Sequence, residues 1–139
     1  MRALIDFGLV VLIWLVQLII YPSFHYVSAF EFQAWHGRYQ TLISWFVIPM
    51  MFCQVWLVGR EALATRSLVD AASALLVAAA WIVTFTLSVP CHRALAQAGK
   101  DPAVIDRLVA TNWLRTVAWT LVFVLGAWCG SLNGLRVSR

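Results

Sequence analysis

Hydrophobic positions in this chain run in four long blocks rather than alternating with polar ones at short intervals. The blocks cover residues 3–22, 39–59, 67–90 and 109–129. About 20 residues at a rise of 1.5 Å each cross the ~30 Å hydrocarbon layer of a bilayer. The pattern predicts an all-α fold, an antiparallel four-helix transmembrane bundle forming a single domain over residues 1–139. Residues 23–38 mix Phe24, His25, Tyr26, Phe30, Glu31, Phe32, Trp35 and His36. Aromatic and polar groups mixed in this way suit the headgroup level, so the stretch reads as a short interfacial helix or loop between spans one and two.

Local punctuation refines the spans. Arg2 before the first block and Val27-Ser28-Ala29 after it imitate a secretory leader, but the apolar stretch is too long for a leader's core. Pro49 in the middle of block two predicts a kink that frees a carbonyl near Trp45. In block three, Ala74 and Ala78 form a small-xxx-small pair that lets a neighbouring backbone approach, and Pro90 marks its exit. Asp101 followed by Pro102 reads as a helix cap opening the last helix. Gly126, Gly130 and Gly134 recur at every fourth position, a face suited to packing against another helix or a second copy of the chain. The tail from Leu135 to Arg139 reads as frayed.

Composition agrees with lipid as the solvent. Hydrophobic residues make up 63% of the chain and charged residues 12%, against roughly half and a quarter in soluble domains. The net charge of +4 comes from Lys and Arg residues scattered between blocks. They form no basic stripe, which excludes nucleic acid as the partner and leaves membrane lipid and a lipophilic small molecule. Cys53, Cys91 and Cys129 have no metal-binding or CxxC spacing, and no disulfide is assigned.

Four spans put both ends of the chain on one side. That side carries Arg2, Arg60, Arg66, Arg136 and Arg139; the other carries Arg38, Arg93, Lys100, Arg107 and Arg115. With Arg38 and Arg115 counted as membrane-embedded, the positive-inside rule places both termini in the cytoplasm of a multi-pass protein of the cell membrane, a bacterial inner membrane.

The chemistry gathers on the opposite side. His25, His36 and His92 fall there, with Glu31, Asn112 and Arg115. Asn112, Arg115 and Trp119 are three and four apart and share one helix face. Arg115 enters the last apolar block by about 8 Å of rise, where a charge faces a bundle interior or a wet cavity unless it snorkels to the headgroups. Asp6 and Gln17 read as terminal or packing groups.

The third and fourth blocks resemble the anthrone-oxygenase-like family of small four-span membrane proteins, whose functions are mostly unknown. In that family the third span ends in Pro-Thr-Asn, a basic residue and Leu, and the last span opens on Trp and His-x-x-Arg-Thr. The corresponding residues here are Val89-Pro90-Cys91-His92-Arg93-Ala94-Leu95, Arg107-Leu108 and Asn112-Trp113-Leu114-Arg115-Thr116. Trp35-His36-x-x-Tyr39 matches loosely. His and Asn stand exchanged relative to the family, as suits two side chains that touch. The resemblance implies oxygenation of an electron-rich polycyclic phenol without a cofactor.

The residues can support that reaction. His92, or else His36, has the basicity for proton abstraction. Arg115 and Asn112 would stabilise the anion. Trp35, Arg38, Tyr39, Trp113 and Trp119 would bind a flat substrate such as an anthrone or a quinol. Two alternatives remain open. One is a metal ion or haem held by His36 and His92 with His25 or Glu31. The other is a non-catalytic subunit that binds lipid or quinone or assembles through its small-residue faces.

Overall fold

A computed structural model describes the backbone of residues 1–137 and the side chains of residues 1–128. Cys129, Gly130, Gly134 and the side chains of the tail lie outside the described residues. Four helices are long and apolar enough to cross a membrane: Arg2–Tyr26, Phe32–Thr65, Leu68–Ala98 and Pro102–Trp128. Each packs on its neighbours in sequence, and the first closes the ring against the fourth. The bundle is therefore antiparallel at every seam. In their most apolar stretches, between 22% and 39% of each helix is buried. Exposed Leu18, Trp45, Phe46, Trp56 and Leu75 cover the outer surface, which makes sense only with acyl chains as solvent.

Two boundaries differ from the sequence pattern. The second helix begins at Phe32, not Tyr39, and runs unbroken through Pro49. Only residues 27–31 separate it from the first. The third helix continues through Pro90 to Ala98. Polar residues are cheap in these turns because they lie at the headgroup level, so the helical backbone outlasts the hydrophobic block.

Pro49 lies within continuous α-helix, whereas the first and third helices contain π-turns, Val16–Ile20 and Thr84–Ser88. Each ends two residues before a single proline: Tyr21 N–H donates to Val16 O ahead of Pro22, and Val89 N–H donates to Thr84 O ahead of Pro90. A proline ring collides with the carbonyl four residues back. Widening the turn to an i→i−5 bond accommodates it and rotates the following residues around the axis.

Short connections fix the seams. Asp101 Oδ1 accepts from Ala103 N–H at 2.9 Å, the expected cap of the fourth helix. Gly99 turns the chain at φ 86°, where a side chain would be strained. Lys100 Nζ donates to the carbonyls of His25 and Val27 at 2.7 and 2.8 Å, and Gln33 Nε2 donates to those of Ala96 and Gln97 at 3.1 and 3.2 Å.

At the terminal end, Arg2 joins three helices. Its Nε meets Asp6 Oδ2 at 3.2 Å, and its Nη1 meets Asp70 Oδ1 at 3.2 Å as well as the Glu61 carboxylate. Gln54 Nε2 donates to Asp6 Oδ1 at 2.7 Å, and Ser67 Oγ to Asp70 Oδ2 at 2.7 Å. Asp6 is thus buried in a side-chain network, not a loose terminal group. Gly126 packs against the Arg2 guanidinium of its own chain: a Cβ there would lie 3.4 Å from Arg2 Nε. That face is already occupied at its first glycine.

Removing the one cation from three carboxylates leaves charge uncompensated at a partly buried site. Arg2→Ala should therefore cost about 3–5 kcal/mol, read as a lower midpoint in detergent-titration unfolding. A loss below about 1 kcal/mol would mean the cluster is solvated and not structural.

Candidate functional site

Near the opposite face the four helices leave a cavity of about 430 Å³. Tyr21 lines it from the first helix, Tyr39 from the second, Ser88 and His92 from the third, and Arg115 from the fourth. Farther along, its walls are apolar. Ile48, Phe52 and Phe85, each more than half exposed, belong to the same lining. The mouth therefore lies on the lipid-facing side, between the second and third helices.

The two histidines meet. His36 Nε2 and His92 Nδ1 are 3.0 Å apart, and His92 Nε2 is 3.0 Å from the Tyr21 hydroxyl. Gln33 and His36 share one face of the second helix, and His92 and Ala96 share one face of the third. The bonds from Gln33 to the end of the third helix thus hold the imidazoles in register. Each contact needs one donor and one acceptor. If Tyr21 O–H donates to His92 Nε2, then His92 Nδ1–H donates to His36 Nε2. In the reverse set, His36 Nε2–H donates to His92 Nδ1 and His92 Nε2–H donates to the Tyr21 oxygen. The chain Tyr21–His92–His36 is therefore a hydrogen-bonded wire with two polarities.

Its inner end is dry. His36 is fully buried and its Nδ1 has no partner among the described residues. Phe32 stacks on it at 5.4 Å and 12°, and Phe24 meets it edge-on at 5.5 Å. The Phe32 face is the favourable side of a ring quadrupole for an imidazolium, and neither ring offers it a proton acceptor.

Arg115 points inward and does not snorkel: it is 6% exposed. Its Nη1 donates to Asn112 Oδ1 at 3.2 Å and Ser88 Oγ at 3.3 Å, and the guanidinium lies 5.0 Å from the Trp119 ring centre. Among the described residues no carboxylate pairs with it. Asn112 is held in turn: its Nδ2 donates to Gln17 Oε1 at 2.9 Å, and Gln17 Nε2 donates to Val109 O at 3.1 Å. Thr116 Oγ1 reaches the same Gln17 oxygen at 3.3 Å.

The structure sorts the residues singled out by sequence. His36, His92 and Arg115 gather at the cavity, with Tyr39 in its wall. Asn112 is buried behind Arg115 and positions it. Trp35, stacked on Tyr39 at 5.8 Å, and Trp119, beneath Arg115, stand one layer back. Arg38 is exposed and Trp113 packs on Trp14 at 5.7 Å, so neither belongs to the cavity wall. His25 pairs with Asp106 at 2.9 Å and Glu31 with Ser28 at 3.1 Å; neither joins the histidine pair as a fellow ligand. Among the described residues no three His, Cys, Asp or Glu side chains converge to hold a metal. Cys53 and Cys91 are free thiols.

Sequence reasoning missed Tyr21 and gave Gln17 only a packing role. Both sit at the first π-turn, and Ser88 sits in the second. A polar residue a few positions before a mid-helix proline was the available signal.

Gln17 and Asn112 should behave as one unit. Gln17→Leu and Asn112→Leu should each destabilise by about 1–3 kcal/mol, while the double variant costs less than the sum, a coupling of about 0.5–3 kcal/mol. Additive losses in unfolding measurements would show that the amide chain is not made.

No protein-family model, no curated protein and no solved structure matches this chain.

Proposed function

We propose that this chain is a membrane oxidoreductase that takes a lipophilic, acidic aromatic such as an anthrone or quinol from the bilayer, removes a proton and delivers the anion to dioxygen. The observation that carries the reading is Arg115, a buried cation beside a lipid-open cavity whose partners among the described residues are all neutral. A guanidinium left without a carboxylate in a low-dielectric wall favours an anion in front of it.

The wire supplies the base. A substrate proton passes to the Tyr21 oxygen as the Tyr21 proton moves to His92 Nε2, and the His92 Nδ1 proton moves on to His36 Nε2. The positive charge then rests on His36, among Phe24 and Phe32 and away from the substrate anion. For an anthrone, the carbanion gives one electron to dioxygen, the radical pair combines as a hydroperoxide, and loss of water leaves the quinone. One dioxygen is consumed and one water is released. The likeness of Val89-Pro90-Cys91-His92-Arg93 and Asn112-Trp113-Leu114-Arg115-Thr116 to the anthrone-oxygenase-like family supports the same chemistry. Both termini on the cytoplasmic side of a bacterial inner membrane fits the Lys and Arg balance of the loops.

Oxygen uptake with an anthrone or a hydroquinone in proteoliposomes tests this reading. His92→Ala and Arg115→Ala should each lower the rate about 100-fold or more. Tyr21→Phe should lower it as well, and His25→Ala should leave it within about twofold. Rates unchanged by all three site variants would sink the proposal.

A further inference from the structure

The cavity of the proposed site adjoins a second space, and the two together mark out a furrow along one seam of the bundle. A second cavity of about 400 Å³ lies between the second and third helices, toward the terminal end. Gly59, Ala74, Val77 and Ala78 are among its lining residues. Phe52 and Trp81 line both cavities, and their rings pack edge-to-face at 5.2 Å. The wall between the two spaces therefore includes these two side chains. Ala74 and Ala78 border this space, and Ala74 also packs against the Val58, Val77 and Val122 cluster. A Cβ added to Gly59 meets nothing within 4 Å.

Polarity along the furrow is one-sided. Tyr21, Tyr39, Ser88, His92 and Arg115 stand at one end, and beyond Ser44 and Thr84 its lining is almost wholly apolar down to Gly59. Tyr39 and Gly59 are separated by about 30 Å of helix, the depth of the hydrocarbon layer. A flat tricyclic ring would occupy the head end alone and leave the rest to lipid.

We infer that the ligand is a ring phenol or quinol carrying one long hydrocarbon tail, its ring between His92 and Arg115 and its tail laid past Phe52 and Trp81 into the space beside Gly59 and Ala74. This rests on the reading of the head site above and specifies the substrate class for it. Because the tail leaves lipid and not water, its gain is van der Waals packing against the furrow walls in place of a less well fitted acyl chain, which would add affinity without touching the reacting ring.

Binding, read without turnover, tests the inference. Ethylhydroquinone and hexadecylhydroquinone are compared on the full-length protein in nanodiscs under anaerobic conditions, at equal mole fraction in the membrane. Quenching of tryptophan fluorescence reports occupancy, and native mass spectrometry counts bound ligand. The long-tailed probe should bind at least about tenfold tighter. Ala74→Phe, which fills the lower space, should reduce that preference below about threefold and leave ethylhydroquinone affinity unchanged. Gly59→Leu is the second plug should Ala74→Phe misfold. Equal affinities in the unaltered protein, or a preference that survives both plugs, overturn the tail site while leaving the head site and its oxygen uptake standing. Failure of both probes to bind overturns the head site as well. Absence of oxygen uptake with an intact tail preference overturns only the catalytic reading.

Discussion

One buried charge organises this end of the molecule. Arg115 has no ionic partner among the described residues, so its solvation falls to neutral dipoles. Those dipoles line up. The Asn112 oxygen can face the guanidinium because its amide nitrogen is turned to Gln17 Oε1, and Gln17 is turned because its own nitrogen is committed to Val109 O. Each amide fixes the orientation of the next, and the chain ends on a backbone carbonyl that cannot flip. A network of this kind has one satisfied arrangement, and in a low-dielectric interior its alternatives are expensive. The stability of the bundle and the electrostatics of the cavity thus draw on the same few bonds.

The backbone delivers these groups through two matched irregularities. The turn preceding Pro22 and the turn preceding Pro90 are both widened. Gln17 in one widened turn and Ser88 in the other then reach the fourth helix at Asn112 and Arg115 from opposite sides. Tyr21 and His92, just beyond the two turns, meet across the cavity. A regular helix would carry these side chains on a different rotation. Proline therefore acts here as a device for aiming polar groups, and the lost helical bonds are made up by i→i−5 bonds inside the membrane.

Much of this was legible in the sequence. Four apolar blocks predict four helices because lipid leaves the backbone no other way to satisfy its hydrogen bonds. Arg115 and Asn112 on one face predict an inward polar patch, because lipid would reject both. The rest was hidden for physical reasons. Hydropathy ends a span where polarity begins, so Phe32–Arg38 and Cys91–Ala98 looked like separate segments although their backbones continue the helices. Arg38 and Trp113 looked like ligand contacts because side-chain type does not reveal rotation about the helix axis. Tyr21 and Gln17 were misjudged because a π-turn changes that rotation and has no hydropathy signature. Asp6, Glu61 and Asp70 are dispersed along the chain, and only the antiparallel packing of the first three helices brings them onto Arg2.

The two ends of the bundle solve the problem of a guanidinium in an apolar setting in opposite ways, and the difference decides what each can do. Arg2 meets three carboxylates, so its positive field is cancelled locally and a ligand anion would find only repulsion there. Arg115 meets hydroxyl, amide and indole, which lower its energy without cancelling its charge. Its field extends into the cavity, where the surrounding low dielectric screens it little. A neutral molecule entering from lipid gains modestly from that field, whereas its conjugate base gains much more. The cavity would therefore favour the conjugate base of a ligand over its neutral form, and Tyr21, His92 and His36 lie where a proton released by that preference would have somewhere to go.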